Sequence, residues 1–367
     1  MSNNCYIHIP FCHNICSYCD FCKLLYNKKI VSNYLEELAK EISLIYQGEE
    51  LKTIYIGGGT PSALSLEELE ILFKILNMLN KSKEIEYTIE GNFESTTKEK
   101  LLLYKKYGIN RLSFGLESIS DKNLQFLERT VIKKQVKEVI KEARKLGFNN
   151  INIDLMYALP TETEADLNID LDYILSLNVE HISTYSLIIE PHTKLSIKSV
   201  KNIDEDLDFK MYNLICEKLK LNNYYHYEIS NFSKRGFQSK HNLCYWNNQE
   251  YYGFGLGASS FLNNCRINNT KSINKYLEGN FCLNKEILSE KDKIEYEIML
   301  NLRKSEGINL EKFREKFGKE FNSIYNYNSL LKDGFLIEKD NYLFLPEEKW
   351  YISNEIIIRI IEGEVNG

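Results

Sequence analysis

The sequence predicts an α/β protein: a partial (β/α)6 barrel followed by a smaller C-terminal helical, winged-helix-like domain. Three observations predict it. Between residues 5 and 221, short runs rich in β-branched and aromatic residues alternate with longer stretches whose apolar positions recur every three or four residues. After about residue 222 the alternation stops and an aromatic, glycine-containing segment takes over. From residue 289 helical spacing returns, and it ends in two short apolar runs flanking Lys339, Asp340 and Asn341, the pattern of a small hairpin.

The strand runs fall at residues 6–9, 53–56, 86–89, 111–114, 151–156 and 181–187, and the helical stretches at 31–45, 66–79, 98–106, 133–146 and 165–177. Six strands with intervening helices are repeated βαβ units, hence a parallel sheet, either open or rolled into a full or partial barrel. Both architectures place ligands at the C-terminal ends of strands. Residues 222–288 read as a connecting segment, with Tyr224 to Tyr227, the run His241-Asn242-Leu243-Cys244-Tyr245-Trp246, and glycines 253, 255 and 257. Residues 289–367 form the third unit, with helices at 308–317 and 321–331 and the hairpin as a wing.

With 367 residues, 43% hydrophobic and 27% charged, the chain has enough apolar material for a large core and no composition of disorder. Its 46 basic and 52 acidic residues leave a net charge of −6, which argues against nucleic acid as a partner. Residues 356–361 are the longest approach to an apolar span, and Arg359 breaks them, so no transmembrane segment is expected; peripheral membrane contact stays open. The start of the chain holds no leader pattern, and a cytoplasmic location is expected. In a reducing compartment, four cysteines between residues 12 and 22 suggest metal or catalysis before disulfides.

Cys12, Cys16 and Cys19 spell C-x3-C-x2-C directly after the first strand. Three thiolates on one loop can hold three irons of a cubane cluster and leave the fourth open to another ligand. A structural zinc site is the alternative; it wants four ligands and would recruit Cys22 or His13. Cys22 is either that fourth ligand or, the favoured reading, a free thiol.

Tyr6-Ile-His-Ile-Pro-Phe-Cys12, with Tyr18 before Cys19 and Asp20-Phe21 after it, resembles the cluster loop of the radical S-adenosylmethionine superfamily. The lead-in is similar to the branch that holds oxygen-independent coproporphyrinogen III oxidase and the HemW heme chaperones. The resemblance implies a 4Fe-4S cluster on Cys12, Cys16 and Cys19, with Tyr6 and Tyr18 beside the cofactors, and S-adenosylmethionine chelating the open iron. Gly57-Gly58-Gly59-Thr60-Pro61 resembles the family's glycine motif, so Gly58, Gly59 and Thr60 are implied contacts of the methionine moiety. The further contacts map onto Glu90, Glu117, Arg129 and Asp154. Glu90 and Asp154 can accept from ribose hydroxyls, and Arg129 can pair with a carboxylate. Two departures stand out: Glu117 where the family usually has glutamine, and Phe93 where proline often follows Asn92.

Within the branch, the oxidase carries a longer segment before its cluster strand and a further cysteine where this chain has Phe21. His241-Asn242-x2-Tyr245 matches the H-N-x-x-Y motif by which the chaperones are distinguished and which is implicated in heme binding. Imidazole is a common axial ligand of heme iron. Without the resemblance, His241 reads first as a structural histidine among aromatics. The expectation is a heme chaperone that binds heme and transfers it to an unidentified acceptor protein, with an electron donor needed for any cleavage of S-adenosylmethionine. A coproporphyrinogen oxidase or another radical enzyme is the alternative, and a zinc-stabilised nucleic-acid binder using the winged region is disfavoured by charge.

Overall fold

Six parallel strands follow one another through the sheet in chain order: Asn4–Ile9, Leu51–Gly58, Lys81–Gly91, Arg111–Glu117, Ile151–Tyr157 and His181–Ser186. They are seen in a computed structural model that describes residues 2–363. All six coincide with the expected runs. Helices Lys28–Ile45, Leu66–Leu76, Lys98–Lys106, Lys133–Lys145 and Glu164–Ser176 connect successive strands. Their starts are encoded locally: Ser65 with Glu68 and Thr163 with Asp166 form capping boxes, each satisfying backbone donors that the first turn leaves open. Ile7, Ile54, Ile56, Ile153 and Ile182 are wholly buried in one core with Leu35, Leu72 and Leu171 of the covering helices.

The sheet does not close. Residues 222–288, expected as a connection, supply three more of its strands. Tyr252–Phe254 lies parallel beside the first strand, and the antiparallel pair Tyr225–Glu228 and Asn231–Ser233 extends the other edge beyond the sixth. The result is an open nine-stranded sheet. These strands of three or four residues are too short to show a period, and Gly253 hides one of them. A Cβ at Gly253 would lie 1.9 Å from the carbonyl oxygen of Ser259, so only glycine lets the two segments pass. The same segment continues into a separate antiparallel sheet of Ser259–Leu262, Cys265–Asn269 and Cys282–Ile287.

The C-terminal unit has its own core, centred on Ile298, Leu302, Leu343, Trp350 and Ile360. Its wing pairs Ile337–Lys339 with Tyr342–Phe344, and Ile308–Asn309 completes three strands. Asp340 and Asn341 turn the hairpin at φ 53° and 64°, a conformation that asparagine and aspartate tolerate best after glycine. The helix expected over 321–331 is broken into Phe321–Ile324 and Asn328–Lys332, because Tyr325 turns extended and both Tyr325 and Tyr327 point into the core. Among the described residues, no helix is long and apolar enough to cross a membrane.

Candidate functional site

The loop after the first strand is held by its backbone, and Ser17 is its pin. The Ser17 amide donates to the Leu127 carbonyl (3.1 Å), its hydroxyl to the Phe126 carbonyl (2.9 Å), and its own carbonyl accepts from Leu195 (3.1 Å). At the loop's base, Thr60 donates to Phe11 and Tyr26 to Cys12, at 2.9 and 2.8 Å. Cys12, Cys16 and Cys19 thereby come to one cavity of about 430 Å³ at the C-terminal ends of the strands. Burial raises all three thiol pKa values, that of Cys19 to about 11. Cations oppose the effect: Arg129 reaches Cys16 at 3.9 Å, and Lys23 lies by Cys19. Among the described residues, no three His, Cys, Asp or Glu side chains converge on a single ion position. Cys22 lines a separate, smaller cavity with Tyr6 and His8.

The cavity wall collects Tyr18, Gly58, Gly59, Thr60, Glu90, Glu117, Arg129 and Asp154 from separate strands and loops. Tyr6 is the exception: its hydroxyl meets His8 Nδ1 at 2.9 Å and its ring stacks on Tyr55, facing the smaller cavity. Glu90 accepts from the Tyr55 hydroxyl (2.7 Å) and from the Gly58 amide (3.0 Å), and burial raises its pKa. Asp154 accepts from Asn152 at 2.7 Å; burial, then repulsion from Glu117 and Glu90, raises its pKa to about 7.

The glycines that line the cavity are also required by the packing of the protein itself. A Cβ on Gly58 would sit 2.5 Å from the His8 ring, and one on Gly59 would sit 2.7 Å from the Pro10 carbonyl carbon. Gly58 also has φ +115°. The run must therefore be glycine for the loop and the strand to pack at all, before any ligand arrives.

Both departures from the family pattern have a structural answer. Glu117 holds a left-handed backbone (φ 60°) at a bulge, accepts from Tyr18 (2.9 Å) and pairs with Arg129 at 3.0 Å. Arg129 also donates to the Gly115 carbonyl at 2.9 Å. A carboxylate in place of the amide thus creates a buried ion pair beside Cys16. Phe93 stacks on Phe114 at 4.7 Å, while Ser62 receives the Asn92 amide (2.9 Å) and steadies the turn that proline would otherwise set.

His241 and Tyr245 lie on the short helix Lys240–Trp246, whose first amides are taken by Glu86 and Ser239. His241 is only 1% exposed, and both ring nitrogens are engaged: Nδ1 with Thr53 (2.7 Å) and Nε2 with the Tyr245 hydroxyl (2.8 Å). The expected axial ligand therefore does not face a cavity. Thr53 spends its one proton on Asn4 (3.0 Å), so it accepts from Nδ1–H and leaves the Nε2 lone pair to Tyr245. Burial lowers the His241 pKa to about 3, which keeps the ring neutral. The His241 ring stacks on Tyr55 at 5.2 Å, and Tyr55 holds Glu90, so the two motifs are joined through one side chain.

Tyr245, Asn242 and Trp246 border a second cavity of about 470 Å³, and it shares Tyr185 and Asn242 with the first. Sequence reasoning missed Tyr55, Tyr185 and Arg111, whose side chain is 2% exposed yet reaches the first cavity. An arginine opening a strand that folds inward was the available signal for the last.

The residues fit the groups that the resemblance implies. Glu117 Oε2 and Arg129 Nε are buried without a hydrogen-bond partner, on a wall that also offers Glu90 and Asp154 as acceptors and three thiols on one rim. A polar ligand would satisfy them.

A family model described as the Radical SAM superfamily matches residues 6–174, and one described as the HemN C-terminal domain matches residues 288–352. The chain is 36% identical to the heme chaperone HemW of Lactococcus lactis subsp. lactis, over 99% of this chain and 98% of that one. It is also 36% identical to the heme chaperone HemW of Bacillus subtilis, with 96% and 97% covered. Among solved structures, the radical SAM enzyme coproporphyrinogen III oxidase (HemN) from Escherichia coli superposes with a TM-score of 0.86, covering 98% of this chain and 90% of that one at 19% identity. That likeness shows the fold.

Proposed function

The chain belongs to the HemW family of the radical SAM superfamily, and we propose that it works there as a heme chaperone, binding heme and passing it to an acceptor protein in the cytoplasm. The observation that carries this reading is similarity to heme chaperones along the whole chain; Asn242 and Tyr245 of the His241-Asn242-x2-Tyr245 motif, which border the second cavity, support it. Cys12, Cys16 and Cys19 would hold a 4Fe-4S cluster, with S-adenosylmethionine in the first cavity. When bound, these two groups supply one-electron chemistry at a sulfonium centre.

The chain's own residues do the rest. Glu90 and Asp154 present acceptors for ribose, Thr60 and the glycine run shape the amino-acid end, and Arg129 keeps a free Nε–H edge while Glu117 orients it. In the motif, Thr53 fixes the tautomer of His241 so that its Nε2 lone pair is the one available to iron. Tyr245 donates to that lone pair and would have to turn aside for iron to reach it. Peripheral contact with a membrane and an external electron donor belong to the same reading.

Anaerobic titration of hemin tests it. About one heme should bind per chain, His241→Ala should lose it or shift its spectrum, and coproporphyrinogen III should not be decarboxylated with cluster, S-adenosylmethionine and reductant present. Protoporphyrinogen IX accumulating, with no heme bound by the wild type, would overturn the chaperone reading in favour of the enzyme.

A further inference from the structure

The second cavity is unlike an ordinary surface cleft. Tyr185, Tyr245, Trp246, Tyr251 and Phe261 contribute aromatic rings, and Arg266 contributes the cation. The guanidinium of Arg266 lies 4.5 Å from the Phe261 ring centroid and 4.3 Å from that of Tyr296. Rings near the cation favour charge while supplying no acceptor. Asn248 accepts from Arg266 at 3.4 Å, a long bond, and Arg266 also reaches Tyr251. Its Nε is buried without a partner. Glu286 stands opposite Arg266 across the small sheet, but it is exposed and forms no ion pair with it among the described residues.

Arg266 is half-buried, and a guanidinium with a buried, unpartnered Nε and no paired carboxylate among the described residues has an edge left for a ligand. Its donors lie in the guanidinium plane as a rigid fork, and that fork matches a carboxylate edge-on with two parallel hydrogen bonds. Of the other polar groups on the wall, Glu228 accepts from Asn231 and from the Ser230 amide, while the Asn231 side-chain oxygen is buried without a partner and can only accept. What is left is a large aromatic surface with one anion-binding corner, in a volume of about 470 Å³ that lies in the range of small-molecule sites.

We propose that this cavity takes a flat, carboxylate-bearing macrocycle, heme under the reading above on which this rests, with one carboxylate bound by Arg266. The carboxylate anchors the edge of the ring system and the aromatic side chains cover its faces. Because Tyr185 and Asn242 border both cavities, a ligand held here shares a wall with the cluster site.

The test compares hemin with its dimethyl ester, in which the carboxylates are blocked, on the full-length, cluster-loaded wild type and on Arg266→Gln and Arg266→Lys. Arg266→Gln should weaken hemin about 10- to 100-fold, the range for a lost hydrogen bond to a charged group. It should leave the ester's affinity at the wild-type value, and Arg266→Lys should fall between wild type and Arg266→Gln for hemin. Equal weakening of both ligands, or none for either, would overturn the assignment while leaving heme binding intact. Absence of hemin binding by the wild type would overturn the chaperone reading and this site with it. Unfolding curves of Arg266→Lys, which keeps the cation, show whether any loss comes from the fold.

Discussion

The two adjoining cavities have nearly the same volume, about 430 and 470 Å³, and opposite chemistry. The first is walled by carboxylates, two arginines and three thiols brought from separate strand ends and loops. The second is walled by rings and side-chain amides, with one cation and one buried acid. Each holds a carboxyl group whose pKa burial raises to about 7, but Asp154 in the first is also pushed by Glu117 and Glu90, whereas Glu228 in the second is opposed only by its hydrogen-bond donors. The difference teaches that what a cavity accepts is set by which charges its strands deliver unpaired, and volume decides little. The parallel strands end their polar residues at one rim, so the first cavity gathers charge. The second is assembled mostly from the short strands and helix of residues 222–288, with Tyr185 of the sixth strand and Leu300 completing it.

Breaking the contrast at the thiols has the largest expected effect. Serine at Cys12, Cys16 or Cys19 should abolish the brown 4Fe-4S chromophore and the iron and sulfide content after anaerobic reconstitution, because a hydroxyl replaces a thiolate poorly. Cys22→Ser, from the separate cavity, should retain both.

The ion pair comes next. Arg129 and Glu117 side chains are 8% and 10% exposed, and removing one partner of such a pair leaves the other charge buried. Arg129→Ala should lower stability by about 3–5 kcal/mol in urea unfolding. Glu117→Gln, which restores the family's amide and can still accept from Tyr18 and Arg129, should cost less; no loss at all would show that the charge is irrelevant.

The buried acids give a pH dependence of intermediate size. Glu228 binds a proton up to about pH 7 when folded and only to about 4.5 when unfolded, so the folded state holds more protons between those values. Stability therefore falls as pH rises through that window and is level above it, a drop on the order of 3 kcal/mol for this group. Glu228→Gln should flatten the curve of urea midpoint against pH between about 4.5 and 7; an unchanged slope would place the proton elsewhere.

The smallest effect is at the wall between the motif and the aromatic cavity. Tyr245→Phe removes one hydrogen bond, about 0.5–1.5 kcal/mol of stability. It also frees the His241 Nε2 lone pair from its hydrogen bond, so hemin should bind at least as tightly as to the wild type and with a nitrogen-ligand spectrum. Weaker binding would assign the iron contact to the tyrosine oxygen.

Much of this was readable before any coordinates. Short apolar, β-branched runs located all six parallel strands, most of them buried on both faces, and recurrence every three or four residues located their helices. Residue spacing located the cysteine loop, since three thiols within eight positions need no tertiary contact to be neighbours. Asp340-Asn341 announced its own turn.

Tertiary structure alone decided the rest, wherever the deciding contact joins distant residues. Residues 222–288 became part of the main sheet because Gly253 and its neighbours pack on strands more than two hundred positions earlier. Gly58 is required by His8, fifty residues away, and Glu117 is a buried ion pair because Arg129 and Tyr18 converge on it. The motif marks His241 as a heme ligand only through the resemblance, and the fold closes it, since Thr53 and Tyr245 take both of its nitrogens. Local propensity and spacing are properties of a segment; which buried charge or lone pair remains unpaired is a property of the packed whole.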